Sequence, residues 1–254
     1  MREASNSDVV LRATDLIAGY EPGLPIVNGA SIHVARAEIV VVLGPNGAGK
    51  STLIKSIAGL VPKFGGTVML GPTDITKVPA HRMVGYGLAF VPQTENVFTT
   101  MTVDDNLRLA AGVLKSAGQH KIDELYGFFP DLARQRWLLA GRLSGGQRQM
   151  LAVARALIVS PEVLMLDEPS AGLSPKLVEV VFEKLVEIRA TGVSILLVEQ
   201  NARAALAIAD RAAVLVEGRN AHEGAAKTLA DDPIVASLYL GGSRAKLPSP
   251  EAHP

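Results

Sequence analysis

Three short runs, EIVVVL (38–43), VLMLDE (163–168) and VSILLVE (193–199), are dominated by Val, Ile and Leu and are too short for a typical helix. Unbroken apolar runs of that length predict central parallel strands covered on both faces. In α/β proteins the carboxyl ends of such strands are where ligands sit. The third run passes through Glu199 and delivers Gln200 and Asn201 beyond the sheet edge, so Gln200 is a site candidate. The alternative is that Gln200 merely opens a helix.

The first run leads into a Gly-rich turn and then KSTLIKSIAGL, in which Leu53, Ile54, Ile57 and Leu60 have helical spacing. This predicts a strand, loop, helix unit. VVLRATDLIAGY, IVNGASIHVA and GGTVMLG alternate as strands and suggest a small antiparallel layer beside the parallel core. Between about Thr100 and Val159 the pattern turns helical. TVDDNLRLAAGVL opens with Thr102 as N-cap and Asp105 three residues on, resembling a capping box, and GGQRQMLAVARALIV is amphipathic. A helical insertion between two core strands is the economical explanation. Beyond Glu199 the chain predicts a helix over ARAALAIADRA, a hairpin turning at Gly218 and a closing helical region over TLADDPIVASLYLG. The Gly- and Pro-rich end, 241–254, reads as a disordered tail. The expected division is one domain over 9–240, its core about 9–92 and 160–240 and its helical subdomain about 93–159.

Composition narrows the function classes. The chain has 254 residues, with 25 Lys plus Arg against 25 Asp plus Glu. That balance argues against sequence-independent nucleic-acid binding, which needs a basic excess to displace counterions. There is no cysteine, which removes disulfides and thiolate metal sites, and the five histidines are scattered. No uncharged apolar run approaches the ~20 residues that span a bilayer. A soluble chain is expected, with any membrane role reached through a partner.

GPNGAGKST, from Gly44 to Thr52, fits a phosphate-binding loop in the context that pattern needs, after a strand and opening a helix. Gly44, Pro45, Asn46, Gly47, Ala48 and Gly49 would curl backbone N–H groups around phosphate oxygens. Lys50 supplies a charge to the terminal phosphates, Ser51 can ligate Mg²⁺, and Thr52 follows in the helix. Asp167, at the end of a hydrophobic strand, stands where a magnesium-organising carboxylate is found in such proteins. Glu168 beside it could orient and deprotonate an attacking water. LSGGQRQ (143–149) is a second Gly-rich helix start, offering Ser144, Gly145, Gly146 and Gln147 to an anion. Two anion sites on one chain are redundant unless the second serves a neighbour's nucleotide.

Phosphate loop, LSGGQ and VLMLDEP, in this order and spacing, resemble the ATP-binding subunits of ABC transporters over essentially residues 9–240. The resemblance implies an α/β fold: a P-loop NTPase core with a parallel sheet, an antiparallel β layer and an inserted helical subdomain. It implies ATP and Mg²⁺ as cofactors and a head-to-tail dimer, with a related ATPase subunit or a second copy. Each ATP would lie between one subunit's phosphate loop and the other's LSGGQ. Tyr20 matches the aromatic that stacks on adenine, although an exposed loop tyrosine is the plain alternative. Gln93, in FVPQTENVF, matches the glutamine that contacts Mg²⁺ and the attacking water. Val97 and Phe98 would face the groove for a permease's coupling helix, or else pack inward. The implied setting is the cytoplasmic face of an inner membrane, peripheral, with two permease subunits and, indirectly, a periplasmic or lipid-anchored solute-binding protein. No nucleic-acid partner is implied.

Two positions depart from the family pattern. Ser174, in SAGLSP, stands where many relatives have aspartate, and Gln200 stands where most place a histidine touching the γ-phosphate. Gln200 therefore reads as a γ-phosphate sensor in altered form. LLVEQNA with the ending VASLYLG looks like one subgroup, the second ATPase subunit of branched-chain amino acid importers and of related urea or amide importers. ABC ATPases of DNA repair carry long coiled-coil insertions and those of translation carry two ATPase halves. This chain has neither. A nucleotide switch that does not hydrolyse is the remaining alternative, and Glu168 argues against it.

Overall fold

A computed structural model describes residues 8–114 and 118–232. The chain opens with β1 (Val9–Ala18), β2 (Val27–Ala35) and β3 (Ile39–Leu43), then α1 (Lys50–Ile57), β4 (Lys63–Leu70) and the two-residue β5 (Thr73–Asp74). The short α2 (Ala80–Met83) leads to β6 (Leu88–Val91). Four helices follow: α3 (Val103–Ala111), α4 (Gly118–Phe128), α5 (Pro130–Arg134) and α6 (Gly145–Leu157). β7 (Val163–Asp167), α7 (Pro175–Ala190), β8 (Ser194–Val198) and α8 (Ala202–Ile208) return to the core, and β9 (Arg211–Val216), β10 (Arg219–Ala225) and α9 (Ala226–Ala230) close it.

The strands form two sheets, a four-stranded one in the order β2-β1-β4-β5 and a six-stranded one in the order β10-β9-β3-β8-β7-β6. Every described pairing in the first is antiparallel. In the second, β9, β3, β8, β7 and β6 run parallel and β10 turns back along the edge. The apolar runs behave as two-sided strands. Ile39, Val41 and Leu43 enter the cluster shared with α3 to α9, with Leu164, Leu166, Ile195 and Leu197. Val40, Val42, Met165, Leu196 and Val198 enter the opposite cluster, against α1 and the antiparallel sheet. A strand has a side-chain period of two, so five apolar residues in a row are stable only when both faces are covered.

Local signals set several element ends. Thr102 Oγ1 accepts the Asp105 N–H at 3.0 Å while Asp105 Oδ2 accepts the Thr102 N–H at 3.2 Å, a reciprocal cap that starts α3. The helix expected over 202–212 stops at Ile208, because Asp210 N–H donates to Ile39 O and Arg211 already pairs with Val40 in the sheet. The tail from 241 and the VASLYLG ending lie outside the described residues.

Register levels the strand ends. Asp167 is opposite Val198, and Val198 is opposite Val42. Gly44, Glu168, Glu199 and Gln200 therefore leave the same edge of the sheet. Val91 pairs with Leu166, which brings the 92–96 turn to that edge as well.

Candidate functional site

The phosphate-loop segment connects β3 to α1, and its backbone is one that side chains would block. Gly44 has φ +155°, and a Cβ there would meet Leu215 O at 2.3 Å. Gly49, at φ +95°, faces Ile26 O in the same way at 3.2 Å. Ala48 O accepts the Gly218 N–H and Gly218 O accepts the Asn28 N–H, so the loop, the β9–β10 turn and the start of β2 are one bonded edge. Lys50 is buried, and its ammonium donates to Gly44 O at 2.8 Å and Pro45 O at 3.2 Å. Burial holds Lys50 below the usual lysine range, against the opposing pull of Glu168, Asp167 and Glu199.

Across the edge, Ser51 Oγ donates to Asp167 Oδ1 at 2.8 Å. Asp167 is 1% exposed; its second oxygen, Oδ2, is buried without a hydrogen bond and faces Lys55 Nζ at 3.4 Å. The Ser51 hydroxyl and the Asp167 carboxylate, one oxygen of which lacks a hydrogen bond, suit Mg²⁺, which takes oxygen ligands, keeps several waters and leaves positions for substrate phosphates. Among the described residues no group of three or more His, Cys, Asp or Glu is arranged for a metal, so an all-protein metal cage is not what this edge offers.

Glu168 is the centre of the second half. It is 7% exposed and sits at φ +49°, a left-handed conformation that costs a non-glycine residue roughly 1–2 kcal/mol. Its N–H donates to Val198 O at 2.9 Å, and its carbonyl accepts the Ala171 N–H at 3.1 Å. Two exposed glutamines hold its carboxylate. Gln93 Nε2 donates to Oε2 at 2.9 Å, and Gln200 Nε2 lies 2.8 Å from both oxygens. A carboxylate aimed this way can take a proton from water, and the amides neither compete for that proton nor titrate. Gln200 does not open α8. That part belongs to Asn201, whose side chain accepts the Ala204 N–H.

The structure thus brings together Gln93, Gly44 to Thr52, Asp167, Glu168 and Gln200. Ser144 to Gln147 are bonded to one another rather than to Glu168 or Asp167. Ser144 Oγ accepts the Gln147 N–H at 3.3 Å and Gln147 Oε1 accepts the Ser144 N–H at 3.0 Å, a capping box that starts α6 and leaves the Ser144 hydroxyl proton free. A Cβ on Gly145 or Gly146 would press on Leu173 at 2.9 Å or Leu177 at 3.0 Å, so this turn lies on the segment after Glu168. Ser174, at the N-cap of α7, makes no capping bond with its side chain. Tyr20 is 59% exposed. Val97 packs on the larger core, while Phe98 is exposed with the Arg155 guanidinium 4.7 Å from its ring centre.

Sequence reasoning missed the burial of Glu199, which is 1% exposed. Burial raises its carboxyl above the usual range, opposed by hydrogen bonds from Ser170, Asn201 and Gln200. The signal was its position as an acid that closes the apolar run from Ile195 to Val198.

A phosphate-loop segment and a carboxylate pair on one sheet edge define an α/β protein built for nucleoside-triphosphate chemistry. Within that class, residues 27–171 match the ABC transporter family, and the chain belongs to it. A relative described as probable branched-chain amino acid transport ATP-binding protein LivF, of Archaeoglobus fulgidus, is 44% identical over 91% of this chain and 99% of its own length. The high-affinity branched-chain amino acid transport ATP-binding protein BraG of Pseudomonas aeruginosa is 37% identical over 90% of this chain and 98% of its own. The lipopolysaccharide export system ATP-binding protein LptB of Escherichia coli K12 is 33% identical over 91% and 97%. A nucleotide-free ATP-binding cassette from an ABC transporter has TM-score 0.81 and 29% identity over 92% of this chain and 99% of that one. The ADP conformation of another cassette matches with TM-score 0.81, 28% identity and the same coverage. The chain is an ATP-binding subunit of a transporter and an ATPase.

Proposed function

We propose that this chain powers uptake of branched-chain amino acids, hydrolysing ATP on the cytoplasmic face of a membrane while bound to two permease subunits. The 44% identity to LivF over nearly the whole of both chains carries the substrate class. No described helix is long and apolar enough to cross a membrane. The groove lined by Phe90, Asn96, Val113 and Arg155, with Phe98 exposed nearby, is the surface offered to a permease segment. The LptB relatives cover this chain equally well, which makes a different cargo the second reading.

In this reading Lys50 and the loop N–H groups hold the phosphates, and Tyr20 lies under the base. Ser51, Asp167 and Gln93 would hold Mg²⁺, which would supply positive charge to the phosphate oxygens. Glu168 takes the proton of the attacking water, and Gln93 and Gln200 fix the direction of its carboxylate. Ser144, Gly145, Gly146 and Gln147 complete the ATP site of a second subunit, either a related ATPase or a copy of this chain. The test is uptake of labelled leucine by cells carrying the wild-type chain or Glu168→Gln. Loss of uptake in the variant is expected, and unchanged uptake overturns the proposal.

A further inference from the structure

Glu199 is a buried carboxylate that the mechanism above does not use. It accepts four hydrogen bonds: Ser170 N–H to Oε1 at 2.9 Å, and to Oε2 the Ser170 hydroxyl at 2.8 Å, the Gln200 N–H at 3.1 Å and the Asn201 N–H at 3.4 Å. Among the described residues no ion pair involves it. A buried charge without a counter-ion is costly, and it persists where hydrogen bonds satisfy both oxygens in one geometry. The partners lie on two separate segments. Ser170 follows Glu168 after β7, and Gln200 and Asn201 follow β8.

We infer that Glu199 is a positioning residue for hydrolysis: its carboxylate ties the segment after Glu168 to the turn that carries Gln200, and so sets the Gln200 amide on the Glu168 carboxylate. The inference rests on the reading of Glu168 as the proton acceptor. The chemistry of the joint requires a carboxylate. Each oxygen faces at least one backbone N–H, Ser170 on one side and Gln200 on the other. A glutamine here would turn its NH₂ group against a backbone donor in either orientation, and backbone donors cannot reverse. The same segment continues to Leu173, whose N–H donates to Ser170 O and whose side chain backs Gly145. The Glu199 anchor therefore reaches the edge of the 144–147 turn as well.

A double-mutant cycle on the full chain, purified in its assembly, separates positioning from general support of the fold. Glu199→Gln is expected to lower single-turnover hydrolysis in this chain's own site, the turnover read throughout the cycle, at least tenfold while the Kd for ATP, measured by calorimetry, changes less than threefold. In a Gln200→Ala background the same substitution is expected to lower turnover by less than threefold, since its effect runs through Gln200. Equal losses in both backgrounds overturn the inference, as does a parallel loss of ATP affinity or a loss under threefold in the wild type. If Glu199→Gln does not fold, Ser170→Ala runs the same cycle, with a loss of threefold or more that vanishes beside Gln200→Ala. The cycle reads turnover whichever group takes the proton. Wild-type turnover in Glu168→Gln refutes the base assignment, whereas additivity refutes the role of Glu199 alone.

Discussion

Gln200 Nε2 sits 2.8 Å from each carboxylate oxygen of Glu168, a residue 32 positions earlier, and holds it between strand ends. A glutamine amide donates but cannot take a proton, whereas a histidine does both near neutral pH. The position therefore separates geometry from proton chemistry. Gln200→Ala should lower single-turnover hydrolysis about 10²-fold, the scale of losing one preorganised donor. Gln200→His should stay within about tenfold between pH 6 and 8. A hundredfold gain in the histidine variant would show that the native site lacks an essential group.

Glu168→Gln should leave ATP bound and slow turnover by ~10²–10⁴, the usual worth of a positioned general base. Single-turnover hydrolysis in this chain's own site is the measurement, because a partner's site can mask the loss in steady state. A variant as fast as the wild type would remove Glu168 from the chemistry.

Ser144→Arg should damage hydrolysis in the site completed by this turn, because an arginine does not fit where a γ-phosphate must approach the helix start, while leaving nucleotide binding by the isolated chain within about twofold. Titration of the monomer with ATP checks it. Lost affinity in the monomer would mean that the turn acts on its own chain's nucleotide.

Asp104 predicts a pH dependence of stability. It is 1% exposed, paired with Arg108 and Arg136 (3.1 Å), and accepts the Tyr126 hydroxyl at 2.9 Å. Burial raises its carboxyl, but the bonds from Arg108 and Tyr126 and the charge of both arginines outweigh it and leave it below the ordinary aspartate value. With the folded value depressed, this stabilisation is complete above the unfolded value of about 4 and is lost as pH falls further. Asp104→Ala should cost about 3 kcal/mol at pH 7, the lower end for breaking a buried pair, because both arginines reach water. Denaturant melts at pH 7 and pH 3 should show the gap between wild type and variant closing in acid.

The parallel strands, the phosphate loop and the Thr102 capping box were legible because each depends on neighbours within a few residues, whereas the capping box of Ser144 and Gln147 came only with the structure. Val40 and Val41 fill both faces of one strand, Gly44 and Gly49 permit one turn, and Thr102 finds Asp105 three positions on. The Val97–Phe98 pair was not legible in this way. Two adjacent apolar residues in a turn carry no period, and only the packing shows Val97 inward and Phe98 beneath Arg155.

By itself the sequence determined that Asp167, Glu168 and Gln200 end apolar strands beside a phosphate-binding loop, since chain alternation and glycine chemistry are local properties. Tertiary structure alone decided that Gln93 and Gln200 share the Glu168 carboxylate and that Glu199, one residue before Gln200, turns inward to Ser170. Those contacts join residues 29 to 75 positions apart. They exist because parallel register levels the ends of β6, β7 and β8, and no local pattern encodes which strand ends become neighbours.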